Sequence, residues 1–595
     1  MSATALQRLG LLLLLLFVIR PTAAAISLPS IYGSHMVLQA NQQGELWGMA
    51  GASATVSVTV GADGHVPLVT AADAAGRFSV ELPSMPASLA PVTITIESGA
   101  DSLVLSDVLF GSVYVCSGQS NMELTVIATI NATAEIAAAG SHGDGLRIMQ
   151  VAKLGSYFNV STPQTNLSLS IPWSRSSPGT VKGMSALCYY YGVEQATRYP
   201  DVPVGVVASS WGGTDVQVWS SPEALAKCGG PKKMSESDAI ANTIADSTDY
   251  GASPPLPHSV DAIPSVPSTL WNAMIAPLMP LRLTGFLWYQ GESNAANPTA
   301  YECQFPAKIS QWRSNWPGAG ASTPYIFVQI APWPAHDVGL IAGIRYAQLK
   351  ALELPSVGMV VAADIGDPAG AYHPIHPPWK QEVARRAAVI AENLVHGNTS
   401  VALQGPKPVN VTWSAWDDTW GKFHHGIANG VCSLTTGAAK GYLCGGIQIT
   451  FDQPITLRNM QSDVYVGGFG GLQTGQGSGG GFELWNNNIP SLGDCDKPGK
   501  PSCASIPAML GPSGDTLTSS LCTNCAAAGC PCKQPMAVTG ILDDGRTLQL
   551  NVTYINGLPR TLKYAWHDYP TMTVFSTTGD RPAPPFNATI HASPK

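Results

Sequence analysis

The stretch Val115-Cys116-Ser117-Gly118-Gln119-Ser120-Asn121-Met122 decides how this chain is read. An apolar strand, Val113 to Cys116, breaks at a Gly-containing turn that sets one serine just ahead of a helix. This order exposes a hydroxyl at the carboxyl end of a strand and aims a helix N-terminus at it. A nucleophilic serine needs that arrangement, because backbone N–H groups there can receive the oxyanion it creates. Serine is also an ordinary helix cap, and a Gly-x-Ser taken alone is better read that way. Three further segments reverse the balance.

The surroundings narrow the class of protein. With 595 residues, the chain is too long for one core, and on the order of two to four domains is expected. Charged residues make up only 12%, while Gly (60) and Pro (47) are abundant, which indicates turn-rich, largely β flanking regions. A net charge of −8 argues against a nucleic-acid partner and supplies no basic patch for a membrane surface. At the N-terminus, Arg8 precedes an apolar run from Leu9 to Ile19, followed by Ala23-Ala24-Ala25. That is the pattern of a cleaved signal peptide over residues 1–25, too short for a comfortable membrane span. No integral membrane segment is expected after cleavage, and the destination is the secretory pathway, either secretion or the lysosome.

Sequons and cysteines fit that route. Asn-x-Ser/Thr acceptors stand at Asn131, Asn159, Asn166, Asn398, Asn410, Asn551 and Asn587. Eight of the 12 cysteines lie beyond residue 430, with Cys522, Cys525, Cys530 and Cys532 clustered and Cys495 and Cys503 upstream. The Cys-x-x-Cys there has no histidine or second well-spaced pair beside it, so disulfides are the better reading than a metal. Cys116 and Cys188 sit in apolar runs and are read as buried, with free thiols one of the states left open.

The texture of the chain changes twice. Residues 26–108 alternate in short runs (Thr55 to Val60, Phe78 to Leu82, Val92 to Ile96), the signature of a small β-sandwich-like domain. Over 109–397, strand-like runs at 113–116, 204–208, 284–289, 325–330 and 357–363 alternate with helical stretches at 184–197, 301–313 and 379–395. That is an α/β domain with a mainly parallel sheet, whose functional loops gather at the carboxyl ends of its strands. Over 398–595 the β texture returns, with strands expected at 447–451, 463–466, 537–541 and 547–553. It is interrupted by a Gly-rich loop at 467–481 and a Cys-rich insertion at about 495–532.

Three more strand ends carry polar groups. Gly205-Val206-Val207-Ala208-Ser209-Ser210-Trp211-Gly212-Gly213-Thr214 ends in a Gly-Gly turn, where a backbone N–H can approach a ligand closely. In Gly285-Phe286-Leu287-Trp288-Tyr289-Gln290-Gly291-Glu292-Ser293-Asn294, an amide can donate to an oxyanion and Glu292 can orient its neighbours. The last segment, Asp364 to Pro377, holds His376 next to a proline ahead of a helix from about Trp379. A near-neutral imidazole suits taking the serine proton and returning it to a leaving alkoxide. Trp211, Trp288, Tyr289, Trp333 and Trp379 flank these blocks, where they either stack on a sugar or fill the core.

Together these blocks resemble the SGNH (GDSL-like) hydrolase superfamily and, within it, the sialate O-acetylesterases and related carbohydrate acetylesterases. The resemblance extends through His35-Met36-Val37-Leu38-Gln39, Leu46-Trp47-Gly48, Trp271 to Leu278, Gln348 to Leu352 and Lys380-Gln381-Glu382-Val383. It implies a three-layer α/β/α catalytic domain flanked by β domains, and a serine esterase that removes O-acetyl groups from sialic acids through an acyl-enzyme without metal or cofactor. Another acetylated glycan, such as a plant-type polysaccharide, is the alternative substrate, and a silent glycan-binding relative the alternative class. Carried over, Ser120 matches the nucleophile and His376 the general base. The N–H groups of Ser120 and of Gly212 or Gly213 match two oxyanion donors. Gln290 takes the place of the usual third donor, with Asn294 as second claimant. The usual aspartate position three residues before the histidine holds His373 here, so Asp367 or Asp364 must reach the imidazole, or a Ser-His dyad works without an acid. Trp211, Trp288, Tyr289 and Glu292 are the candidate substrate contacts.

Overall fold

Val113, Tyr114, Val115 and Cys116 are each 2% exposed or less. Four apolar residues in succession, buried on both faces, belong to a strand at the middle of a covered parallel sheet. The computed structural model describes residues 25–61, 66–230, 263–333, 340–367, 375–415, 442–457, 482–485, 536–555, 561–564, 574–577 and 581–592. The signal segment up to residue 24, the strand expected at 463–466, the Gly-rich 467–481, the insertion at 495–532 and His373 lie outside the described residues.

The central sheet contains β1 (Asp101–Gly118), β2 (Leu146–Val151), β3 (Leu169–Arg175), β4 (Val204–Ser210), β5 (Gly285–Tyr289), β6 (Tyr325–Gln329) and β7 (Val357–Val361). Their order is β7-β6-β5-β1-β4-β2-β3, parallel except for β3 at the edge, which runs antiparallel to β2. The later strands β5 to β7 extend to one side of β1, and β2 to β4 lie on the other. The chain therefore switches direction across the sheet at β1, and such switch points open a crevice at the strands' carboxyl ends. The helices introduced along the chain are α1 (Ser120–Glu123), α2 (Ala186–Arg198), α3 (Pro298–Asn315), α4 (Leu340–Gln348) and α5 (Lys380–Leu394). α2 packs on α5 and α3 on α4. No described helix is long and apolar enough to cross a membrane.

The flanking regions are β, as their texture implies. Before the central sheet come Val37–Gln39, Gly44–Met49, Thr55–Val60, Leu68–Ala71, Arg77–Leu82 and Ser88–Ser98. After it, Met536–Ile541, Thr547–Ile555, Tyr442–Phe451, Pro408–Ala415 and His591–Ala592 form a five-stranded sheet. The boundary expected at 108/109 falls inside β1: its first half pairs with Ser88–Ser98, its second with β4 and β5.

Cys116 and Cys188 are buried but joined to each other, tying β1 to α2, and a second disulfide links Cys228 to Cys303. Both apolar runs face the same interior, which brings the two sulfurs together across the layer between sheet and helix.

Asp107, on β1, fastens the edge of the sheet. It accepts two hydrogen bonds from Arg175 at 2.8 Å, two from Arg147 at 3.3 Å, and contacts His35 Nδ1 at 2.7 Å. Burial alone would raise its carboxyl, but Arg175, His35 and Arg147 outweigh that and hold it at about 2. A depressed carboxylate stabilises the fold above its unfolded value and loses that effect as pH falls toward its folded one. Asp107→Asn is thus expected to cost roughly 1–2 kcal/mol at neutral pH. Denaturant melts at stepped pH should show the deficit shrinking as pH drops below about 4.

Candidate active site

Ser120 opens α1 directly after β1, and Gln119 rather than Ser120 occupies the N-cap position. The strand-to-helix turn depends on Gly118, whose φ is +146° and where a Cβ would run into the Tyr289 carbonyl oxygen. Gln119 locks the neighbouring loop: its N–H donates to Tyr289 O at 3.0 Å, and its Oε1 accepts from Gly291 N at 3.2 Å and Ser293 N at 3.4 Å. Ser120 itself is half-buried, and its Oγ takes no hydrogen bond among the described residues. Its N–H, at the first helical position, likewise has no acceptor there.

The general-base candidate is brought to this helix by the residue next to the serine. Asn121, fully buried, donates through Nδ2 to Ile375 O at 2.9 Å and to Glu292 Oε1 at 2.8 Å. Its Oδ1 accepts from Lys380 Nζ at 2.7 Å, and Lys380 also donates to Pro377 O at 2.8 Å. The carbonyls on either side of His376 are therefore both gripped, one by Asn121 and the other by Lys380. Burial drives Lys380 down to about 7, against the pull of Glu292. Burial likewise raises Glu292, opposed by its bond from Asn121 and the charge of Lys380.

The Gly-Gly turn touches the serine from the other side. A Cβ on Gly212 would lie 3.3 Å from both Ser120 Cβ and Glu123 Oε2, a tight fit that a side chain could enter only if those neighbours gave way. The Gly212 N–H is bonded to Glu123 Oε2. Of the two glycines expected to supply an oxyanion donor, Gly213 is the one whose N–H has no acceptor among the described residues. Its φ of +71° is a further demand for glycine.

A family model described as carbohydrate esterase, sialic acid-specific acetylesterase, matches residues 266–387. Human sialate O-acetylesterase is 33% identical over 433 residues, covering 68% of this chain and 77% of that protein. The rat sialate O-acetylesterase is 33% identical over 446 residues, covering 68% and 80%. The chain belongs to the sialate O-acetylesterase family. Among solved structures, a carbohydrate acetylesterase from Xanthomonas citri shares the fold, with a TM-score of 0.66 at 22% identity over 95% of this chain and 99% of that one. Family membership makes this a carboxylic ester hydrolase.

Within this family member, geometry revises several residue assignments. Gln290 is fully buried and its amide is spent: Nε2 donates to Thr214 O and Asn294 Oδ1, and Oε1 accepts from Tyr301. It acts as a strut between loops, not as an oxyanion donor. Asn294 Oδ1 accepts from both Gln290 and Val216 N, which turns Nδ2 away from those partners and leaves it without an acceptor among the described residues. Asp364 gives both oxygens to Arg386 at 2.7 Å, so its charge is committed to α5 rather than to the imidazole. Asp367 is half-buried on the same loop. Trp288 and Tyr289 are wholly buried and unavailable to a sugar. Trp288 instead lies under the Lys308 ammonium, 3.1 Å from its ring centroid, and the Tyr289 hydroxyl accepts from Ala331 N. Glu292 is buried against Asn121, and Trp211 is 5% exposed beside Lys153.

Asn121, Glu123, Lys153 and Lys380 were not singled out in the sequence as site residues. The adjacency of Asn121 to Ser120 and the place of Lys380 in a block shared with the family were the signals available. Lys380→Met is expected to lower kcat at least tenfold while KM for an acetyl ester changes less than threefold. Steady-state kinetics on variant protein with an unaltered circular dichroism spectrum would check this.

Proposed function

We propose that this protein hydrolyses O-acetyl esters of sialic acids, with Ser120 as nucleophile and His376 as general base. The observation that carries the reading is the Asn121 bridge, which couples the residue after the serine to the residue before the histidine. The names and extent of the curated relatives supply the substrate class. In this mechanism Ser120 Oγ attacks the acetyl carbonyl while His376 takes its proton. The oxyanion is received by the N–H groups of Ser120 and Gly213 and by Asn294 Nδ2. His376 then protonates the departing sugar oxygen, and water releases acetate from the acyl-serine. Catalytic hydrogen bonds commonly close only around substrate, which suits a serine hydroxyl left open in the free protein.

The two disulfides, and the exposure of Asn131, Asn159, Asn166, Asn398 and Asn410, support passage through an oxidising, glycosylating compartment. Secretion or lysosomal delivery is proposed on that basis.

Acetate release from a 9-O-acetylated sialoside should be measurable for the wild type and absent for Ser120→Ala. Release that survives the substitution would remove Ser120 from the mechanism; failure of the wild type on this substrate, with turnover of another acetylated glycan, would reassign the substrate. One oxyanion donor is typically worth about 2.7–4 kcal/mol. Asn294→Ala should accordingly reduce kcat by about a hundredfold or more, and a near-normal kcat would exclude Asn294 as a donor.

A further inference from the structure

A sialic acid differs from a neutral acetylated sugar by a carboxylate that is ionised at neutral pH. A chain of net charge −8 that selects such a substrate needs a local cation to offset repulsion. Most cations near the site are already committed inward. Lys380 is fully buried on Asn121 and Pro377, Arg345 is fully buried on the carbonyls of Ile330 and Ala331, and Arg386 is held by Asp364 and Glu382.

Lys153 differs from these. It lies two residues beyond β2, and the parallel register of β2, β4 and β1 puts that strand end on the same edge as Ser120 and Gly212. Its Nζ donates to Glu123 Oε1 at 2.5 Å and stands 5.6 Å from the Trp211 ring centroid. Glu123 closes α1, and its other oxygen is on Gly212 N, beside Ser120. One carboxylate thus separates the ammonium from the turn that touches the nucleophile. Lys153 is 29% exposed, and a single one of its three donors is used among the described residues. A partly exposed Lys–Glu pair is weak, because water screens its attraction and ordering the lysine costs entropy. Glu123 also spends part of its charge on the Gly212 N–H. The ammonium can therefore be shared with an incoming anion.

Resting on the sialate reading above, we propose that Lys153 receives the carboxylate of the acidic sugar and is the residue that sets preference for acidic over neutral acetylated sugars. Glu123 orients the lysine and ties carboxylate recognition to the loop that carries the Gly213 donor. Trp211, at the same corner, is 5% exposed with its ring beneath the lysine, so it offers no open stacking face.

The test compares a 9-O-acetylated sialoside with its carboxyl methyl ester, which differs only in charge at that group. Wild type should favour the acid over the methyl ester at least tenfold in kcat/KM. In Lys153→Met that ratio should fall to near one, whatever the absolute rates, while Lys153→Arg should retain it. An unchanged ratio in Lys153→Met overturns the proposal, as does a wild-type ratio near one. A separate wild-type assay on p-nitrophenyl acetate isolates the prior assumption. Hydrolysis of that ester with none of the sialoside would sink the sialate reading itself, and this proposal with it.

Discussion

The amide of Asn121 is the contact on which the rest of the site depends. A side chain with two donors and one acceptor is the smallest group that can hold three loops at once. It does so inside the protein, where a hydrogen bond left unmade would cost about 1–3 kcal/mol. Because every one of its bonds is made within a buried network, displacing any one loop strands polar groups on the others. The helix that opens with Ser120, the loop after β5 and the segment of His376 are thus tied together, although they are far apart in sequence. Lys380 and Glu292 are the charged ends of that network. Burial alone would make each of them costly, and their proximity through Asn121 is what makes their joint burial tolerable.

A second constraint is the crowding of backbone around Ser120. Gly118 meets the Tyr289 backbone and Gly212 meets Ser120 itself, so the ends of β5 and β4 close on the turn that carries the serine. Close approach of peptide groups is how a site aims N–H dipoles at one point without spending side chains on the task. One of those N–H groups, that of Gly212, is already taken by the carboxylate of Glu123.

The sequence revealed the sheet better than the site. β5, β6, β7, the start of β4 and the Val113–Cys116 stretch of β1 are apolar runs, which a covered parallel sheet requires, so their positions could be read directly. β2 is not legible because Arg147 and Gln150 break its pattern; Arg147 is buried with Asp107, on another strand, and the Gly143 and Asp144 carbonyls as its partners. β3 carries Pro172, which demotes a strand in any sequence reading and is tolerated here at an antiparallel edge. In the site, Ser120 and His376 stood out because their neighbours in sequence are unusual. The exchange of roles between Gln290 and Asn294 did not, since it is decided by Thr214 and Val216 on a separate loop. Asp364 offered the same kind of ambiguity: an aspartate on the right loop, whose partner is Arg386 on a helix that follows. Lys153 belongs to no motif and matters only through where β2 ends.

The continuity of β1 has a consequence for modularity. Residues up to Phe110 are paired with Ser88–Ser98 and those from Ser112 onward with β4, so one strand serves both sheets without a linker between them. A hinge needs a segment whose backbone bonds can be released cheaply, and this junction has none. The amino-terminal β unit is therefore not a detachable cassette. A truncation that removed it would strip hydrogen-bond partners from the strand that leads to Ser120, and the two regions should melt in a single cooperative transition.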